Sequence, residues 1–305
     1  MTSPALDDVH KATRGVTRLS VGVAVVLILM KTFALGASGS VSILASLADS
    51  ALDLVASLAT FFAVRWAAAP ADDDHRYGHG KGEGLAALFQ AGLVVASSVF
   101  IGWEAIQRLV DPRPVTAGLW SVAVVVASIA LTGWLIWMQD RAIKASGSLA
   151  VKADRAHYAA DLASNSVVLI GVISGAFLGA PGLDAAAGLI VAIWLFWGAT
   201  GMLRDAADHL LDKAASDEDR QAIARAVLSD PRITGVHQLR TRMAGPVLMI
   251  QMHVDLDPKL TLQAAHDIVV GAETRILEAF PRADILIHPD PRGAVHPQGE
   301  ADVPA

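Results

Sequence analysis

The sequence predicts an α-helical integral membrane protein of six transmembrane helices, followed by a small cytoplasmic α+β domain of helix-strand-strand-helix-strand order. Two observations carry this reading. Of 305 residues, 53% are hydrophobic by a count that omits glycine, and mean hydropathy is +0.47, which is the composition of a chain that lives partly in lipid. The apolar excess is also uneven: nearly all of it precedes Arg204, and the last third reads as ordinary water-facing protein.

Apolar segments long enough to cross a hydrocarbon core of about 30 Å lie at 16–37, 41–69, 84–110, 116–140, 152–178 and 183–203. The short breaks "GASGS", "DPRP" and "GAPG" suit tight turns, whereas "APADDDHRYGHGKGEG" and "QDRAIKASGS" are longer and polar. Lys11, Arg14 and Arg18 precede the first segment; Arg76 and Lys81 lie between the second and third; Arg141 and Lys144 follow the fourth; Arg204 and Lys213 follow the sixth. The opposite loops carry only Arg108 and Arg113, so both termini are expected on the cytoplasmic side. The "ALGAS" that ends the first segment has some look of a signal cleavage site, but removing that segment would leave an odd number of spans.

After Asp212 the character changes. "SDEDRQAIARAVLSD" places a serine and acidic residues before apolar residues at helical spacing, which predicts a capped amphipathic helix. "GVHQLRTRM" and "VLMIQMHVDL" predict strands around a Gly-Pro turn. In the second, Leu248, Ile250, Met252, Val254 and Leu256 alternate with Met249, Gln251, His253 and Asp255. "TLQAAHDIVVGAETRILEAF" predicts a second helix and "ADILIHP" a third strand. The expected organisation is a membrane domain over 1–212, a cytoplasmic metal-binding and dimerisation domain over 213–291, and a disordered tail over 292–305.

Composition also excludes classes of function. With no cysteine there can be no disulfide, iron-sulfur cluster or thiolate metal site, so a metal would have to be held by nitrogen and oxygen. A net charge of -6 gives no footprint for nucleic acid. Neither His-Glu-x-x-His nor Gly-x-Ser-x-Gly occurs, which argues against a membrane hydrolase. Ten histidines are the main chemical resource of the chain.

Asp49 and Asp53 share one face of the second helix, a turn apart, in an otherwise apolar run. An ionisable group near the bilayer centre costs about 2.5–3.5 kcal/mol on insertion scales, and two adjacent carboxylates also repel unless a proton or cation intervenes. The fifth helix repeats the spacing with His157 and Asp161, each pair lying in the middle helix of a three-helix half, which suggests an internal duplication. Three carboxylates and one imidazole match a tetrahedral divalent cation such as Zn(II). The bland alternative is helix packing through single polar residues; Asp154 and Arg155, near the start of the same helix, are readable as interfacial charges. In the loop after the second helix, Asp72, His75 and His79 would suit one helical face, yet Gly78, Gly80 and Gly82 argue for a loop, which leaves ligation and a merely solvated acidic loop both open.

The stretches "SLADSALD", "PADDDHRYGHGKGE", "AHYAADLASNS", "GVHQLRTRMAGP" and "ILIHPD" resemble the cation diffusion facilitator family, within its bacterial zinc and ferrous-iron efflux branch, over the whole chain except the tail. The resemblance implies a homodimer of six-helix protomers in the bacterial inner membrane, each with a metallochaperone-like cytoplasmic domain, exporting divalent cations against inward proton flow. It assigns Asp49, Asp53, His157 and Asp161 to the transport site and Asp72, His75 and His79 to a loop metal site. It further assigns His237, His253, His266, His288 and Asp290 to a binuclear regulatory site, and Lys81 with Asp212 to an ion pair between protomers. His10, His209 and His296 match no ligand position, and helix five departs in detail from the family pattern around Arg155 and Ala156.

The expected function is therefore metal/proton antiport by alternating access, with Zn(II) the leading substrate and Cd(II) or Fe(II) alongside it. Protons would compete with metal for the same ligands, with His157 as the main carrier because imidazole titrates nearest physiological pH. Metal on His253, His288 and Asp290 would hold two cytoplasmic domains together. The alternatives are a membrane-bound metal sensor, or a transporter of a different divalent cation. An organic-cation carrier fits less well, because Ala, Ser and Leu around the polar pairs favour close packing about a small ion.

Overall fold

The computed structural model describes residues 4–38, 41–111, 119–173 and 183–293. Six long helices come first: α1 (Pro4–Ser38), α2 (Val41–Ala67), α3 (Gly82–Val110), α4 (Leu119–Ser146), α5 (Leu149–Ile173) and α6 (Leu183–Leu210). Each is long and apolar enough to cross a membrane. The C-terminal part follows as α7 (Asp217–Leu228), β1 (Gly235–Ala244), β2 (Val247–Leu256), α8 (Leu262–Ala279) and β3 (Ala283–Pro291), the order expected from sequence. The "DPRP" and "GAPG" turns and the expected tail lie largely or wholly outside the described residues.

Two helices are longer than the hydropathy pattern suggests. α1 begins at Pro4 because Val9, Thr13, Val16, Thr17 and Ser20 form a buried stripe at helical spacing, and the threonine hydroxyls donate back to the carbonyls of the preceding turn. "QDRAIKASGS" is not a long polar loop: α4 continues to Ser146 and α5 starts at Leu149. Ala142 packs there with Val16 and Val151, and Gly147, at φ +71°, turns the chain in the left-handed region that glycine enters without strain. The buried Glu83 carboxylate closes this turn by accepting from the Ser148 hydroxyl (2.8 Å) and the Leu149 amide (2.9 Å).

Within the bundle α3 packs most extensively on α6, α1 on both α2 and α4, and α5 on α3 and α4. Small residues allow these approaches, as where Ala87, Ala153 and Ala206 meet. Outward faces carry Leu29, Phe33, Trp103, Ile190 and Trp197, all exposed in the single chain as a lipid-facing surface requires.

In the C-terminal part the sheet order is β1-β2-β3, with β1 antiparallel and β3 parallel to β2. The parallel pair is connected through α8, since parallel strands need a crossover. Ile250, Met252 and Val254 of β2 are fully buried against Ile223 and Val227 of α7 and Ile268, Ala272 and Ile276 of α8. This is the alternation read from sequence. Ser216 caps α7 by accepting from the Asp219 amide (3.1 Å), and Thr261 caps α8 through the Ala264 amide (3.2 Å).

Between α7 and β1 the buried Asp230 carboxylate accepts two hydrogen bonds from the Arg232 guanidinium (2.9 and 2.8 Å) and one from its amide (3.1 Å). The Arg232 guanidinium holds this carboxyl down to about 2, against an ordinary unfolded value of about 3.9. A depressed carboxyl contributes its stability above the unfolded value and loses it as pH falls through the folded one. Asp230→Asn should therefore lower the melting temperature of the C-terminal part at neutral pH, with the difference from the unmodified chain vanishing between about pH 4 and pH 2; thermal scans across that range check it.

Candidate functional site

Three of the four expected intramembrane ligands meet where α2 faces α5. The His157 Nε2 atom lies 3.3 Å from Asp53 Oδ1 and 3.8 Å from Asp161 Oδ2, and one ligand atom from each residue falls within 4.8 Å of the others. Asp53 and His157 are each 5% exposed. Both ring nitrogens of His157 and Asp161 Oδ2 are buried without a hydrogen-bond partner. Buried polar atoms left open in this way are costly unless something binds them, and N and O donors converging in a small space fit a divalent cation. Asp49, the fourth expected ligand, lies outside this group on the exposed side of α2, although its charge still acts on Asp53 and His157.

A hydrogen-bonded scaffold lies one turn away on α5. Asp154 is 1% exposed and accepts from Gln90 Nε2 of α3 (3.1 Å) and Gln139 Nε2 of α4 (2.8 Å). Gln90 also reaches Thr60 of α2 (2.8 Å), and Gln139 reaches Ser20 of α1 (3.1 Å). Asp154 is thus not the interfacial charge that sequence allowed; its position on the inward face of α5 makes it the centre of the bundle. Arg155, on the other face, does sit at half-exposure and pairs with Asp140 (3.0 Å). Tyr158 completes the scaffold, sharing a 2.7 Å hydrogen bond with Ser57 and donating to the Ser20 carbonyl (3.1 Å). The signals available in sequence were Gln90 and Gln139, two amides in apolar helices that each need a partner.

The loop between α2 and α3 gathers Asp72, His75 and His79 within 4.8 Å. Asp72 Oδ1 accepts from the amides of Asp74 (3.1 Å) and His75 (2.7 Å), so the glycine-rich segment is a turned loop and not the helical face. These amide hydrogen bonds, the His75 one foremost, hold the Asp72 carboxyl below its usual range and keep it ionised. His75 Nδ1 and His79 Nε2 approach Asp72 to 3.4 and 3.3 Å, with Trp66 packed beside both rings. Gly80 then passes so close to the Ala244–Gly245 backbone that an added Cβ would collide with it.

On the C-terminal sheet, register does the gathering: His237 pairs with His253 and His253 with His288 across the three strands. Asp290 sits among them, with Oδ2 2.7 Å from His253 Nδ1 and 3.6 Å from His237 Nε2, and Oδ1 3.2 Å from His288 Nε2. His266 is not brought to this group; it is exposed on α8. Asp255, which the sequence reading left out, is 3.6 Å from His237; its place two residues after His253 on the same strand face was the available signal. Lys81 and Asp212 form an ion pair at 2.9 Å within the chain, because the start of α3 and the end of α6 lie side by side. Arg242 of β1 joins it at 3.1 Å and lies over the Tyr77 ring. Lys81 foremost, and Arg242 with it, hold the Asp212 carboxyl below its usual range.

Comparison with known proteins accounts for both halves. Residues 17–211 match the cation efflux transmembrane domain, and residues 215–292 the cation efflux protein cytoplasmic domain. The chain belongs to the cation diffusion facilitator family. It is 39% identical over 273 residues to the cation-efflux pump FieF of Cronobacter sakazakii, covering 90% of this chain and 91% of that protein. The proteins of the same name from Pectobacterium atrosepticum and Escherichia coli O1:K1 are each 39% identical over 277 residues, covering 90% and 91% of this chain and 91% and 92% of theirs. A cation diffusion facilitator is a membrane transporter of divalent cations and not an enzyme.

The family assignment makes the Asp154 scaffold a support for a transport bundle. Asp154→Ala would remove the acceptor that Gln90 and Gln139 share, at about 0.5–1.5 kcal/mol for each hydrogen bond lost, and would leave a void among five packed helices. The expected outcome is a markedly lower melting temperature in detergent, several times the shift produced by Arg155→Ala at the half-exposed neighbour.

Proposed function

We propose that the chain exports Zn(II), with Cd(II) and Fe(II) as further substrates, in exchange for protons by alternating access. The observation that carries this is the trio of buried open ligand atoms on His157 and Asp161, facing Asp53. Metal and protons compete there for the same lone pairs, since carboxylate and imidazole ligate only when deprotonated. A proton arriving from outside therefore displaces the ion. Asp49 completes the ligand set as α2 shifts, and His157 is the main proton carrier. The protein acts as a homodimer in the bacterial inner membrane with both termini cytoplasmic, divided into a membrane domain over 1–212, a cytoplasmic domain over 213–291 and a disordered tail. Metal on His237, His253, His288 and Asp290 holds two cytoplasmic domains together, with His266 reached from the α8 side, and the Asp72, His75 and His79 loop binds a further ion.

The test is flux into liposomes that contain a metal-sensitive dye. With Zn(II) outside and an imposed proton gradient, the unmodified protein should fill the vesicles and Asp53→Ala should not. Flux of Mn(II) or Co(II) in place of Zn(II) would reassign the substrate; metal binding with no flux of any cation would make the protein a sensor. His157→Ala should weaken the response of flux to the gradient, and full proton coupling in that variant would remove His157 as carrier. For the sheet site, Asp290→Ala should reduce the Zn(II) retained by the purified full-length chain, read by elemental analysis.

A further inference from the structure

One buried charge in the bundle has no place in the proposed chemistry. Lys31 lies on α1, 4% exposed, and its ammonium donates to the Ser50 hydroxyl (2.6 Å) and to the Ser46 carbonyl (3.0 Å) of α2. Ser50 stands between Asp49 and Asp53 on that helix. The Lys31 charge acts on Asp53, Asp49 and Asp161, the three carboxylates of the α2/α5 site, yet none of them comes within ion-pair distance of it among the described residues. The ammonium is therefore held beside the ligand set by neutral oxygens and is not consumed by pairing with any one ligand.

We propose that Lys31 is the built-in counter-cation of the transmembrane ion site, and that it holds the site's affinity low enough for release. This rests on the reading of Asp49, Asp53, His157 and Asp161 as the transport site. The charge balance is direct. Three carboxylates supply three negative charges, a neutral imidazole none, and Lys31 one positive charge, so two negatives remain, which one divalent cation neutralises. Without Lys31 the loaded site would keep a net negative charge away from water, where Coulomb terms are weakly screened. It would then hold its ion more tightly than turnover allows, since conduction and transport need binding strong enough to enter and weak enough to leave. A fixed ammonium also offsets carboxylate repulsion in the empty site, so the bundle need not import a second cation to close.

The experiment compares the unmodified protein, Lys31→Gln, Lys31→Arg and Asp53→Ala in proteoliposomes, measuring KM and kcat for Zn(II). Lys31→Gln should lower KM about tenfold and lower kcat with it, the size expected from removing one charge near the site in a weakly screened medium. Lys31→Arg keeps the charge and should stay close to the unmodified protein in both constants. A loss of packing alone would instead lower kcat at constant or raised KM. The proposal falls if Lys31→Gln leaves KM unchanged, or if Lys31→Arg behaves as Lys31→Gln does. Should Lys31→Gln carry no flux, its Zn(II) dissociation constant in detergent, taken at the site lost in Asp53→Ala, decides: tighter binding supports the counter-cation, unchanged or weaker binding overturns it. If Asp53→Ala transports like the unmodified protein, the site assignment itself has failed and this proposal falls with it; loss of flux in Asp53→Ala with an unchanged KM in Lys31→Gln removes only the role of Lys31.

Discussion

The Asp154 carboxylate, buried and shared by Gln90 and Gln139, is the interaction on which the membrane bundle depends. A carboxylate inside a bilayer must find its partners within the protein, and here those partners extend to Thr60 and Ser20, so that one acceptor ties α1, α2, α3, α4 and α5 together. His157 follows three residues later on the same inward face of α5. Its ring is thus held by a helix whose rotation is already set, which is what a site needs if open ligand atoms are to stay aimed at one another. The satisfied cluster and the unsatisfied one are adjacent and complementary: Asp154 has its donors, whereas Asp161 Oδ2 and the His157 nitrogens do not.

The fold was legible because its signals are collective. Six apolar runs, the capping serine before Asp217 and the alternation along β2 each involve many residues and survive single exceptions. Helix ends were less legible, since Gly147 and the polar α4 terminus look like a loop until the tertiary contacts of Ala142 and the Glu83 closure are known. Of the site, the Asp49/Asp53 and His157/Asp161 pairs stand out by their spacing, whereas spacing left the loop trio open and the sheet histidines came from the family resemblance. Where Asp49 and His266 stand relative to the ligand groups depends on helix placement, which a four-residue spacing does not encode. Asp154 reads from sequence as an interfacial charge, Asp255 offers only its place on a strand face and Lys31 gives no local signal, because the meaning of each lies in partners far away in sequence.

The two ends of the molecule are joined through close backbone contact. Trp66 at the end of α2 packs on His75 and His79, Gly80 then meets the Ala244–Gly245 turn, and Arg242 of β1 binds Asp212 after α6. The loop ligands therefore lie between the helix that carries Asp53 and the sheet that carries Asp290. A bridge among Asp72, His75 and His79 would tie the end of α2, through Trp66, to the loop that meets the sheet at Gly80.

The duplication seen in sequence aligns Asp49 with His157 and Asp53 with Asp161, but the structure does not pair them so. Asp53 lies 3.3 Å from His157, and one ligand atom each of Asp53, His157 and Asp161 falls within 4.8 Å of the others. Asp49 is four residues earlier, about 6 Å along a helix that rises 1.5 Å per residue. On the proposed four-residue ligand set, Asp49 reaches the ion from a turn away, either through its own rotamer or by a shift of α2 against α5. That motion is resisted on one side by the Asp154 network through Thr60 and on the other by Lys31, which grips Ser46 and Ser50 of the same helix. A divalent cation supplies the free energy to move α2 only in so far as it binds the four-ligand arrangement better than the three-ligand one, so the difference between these two geometries is where transport and ion selectivity become the same quantity.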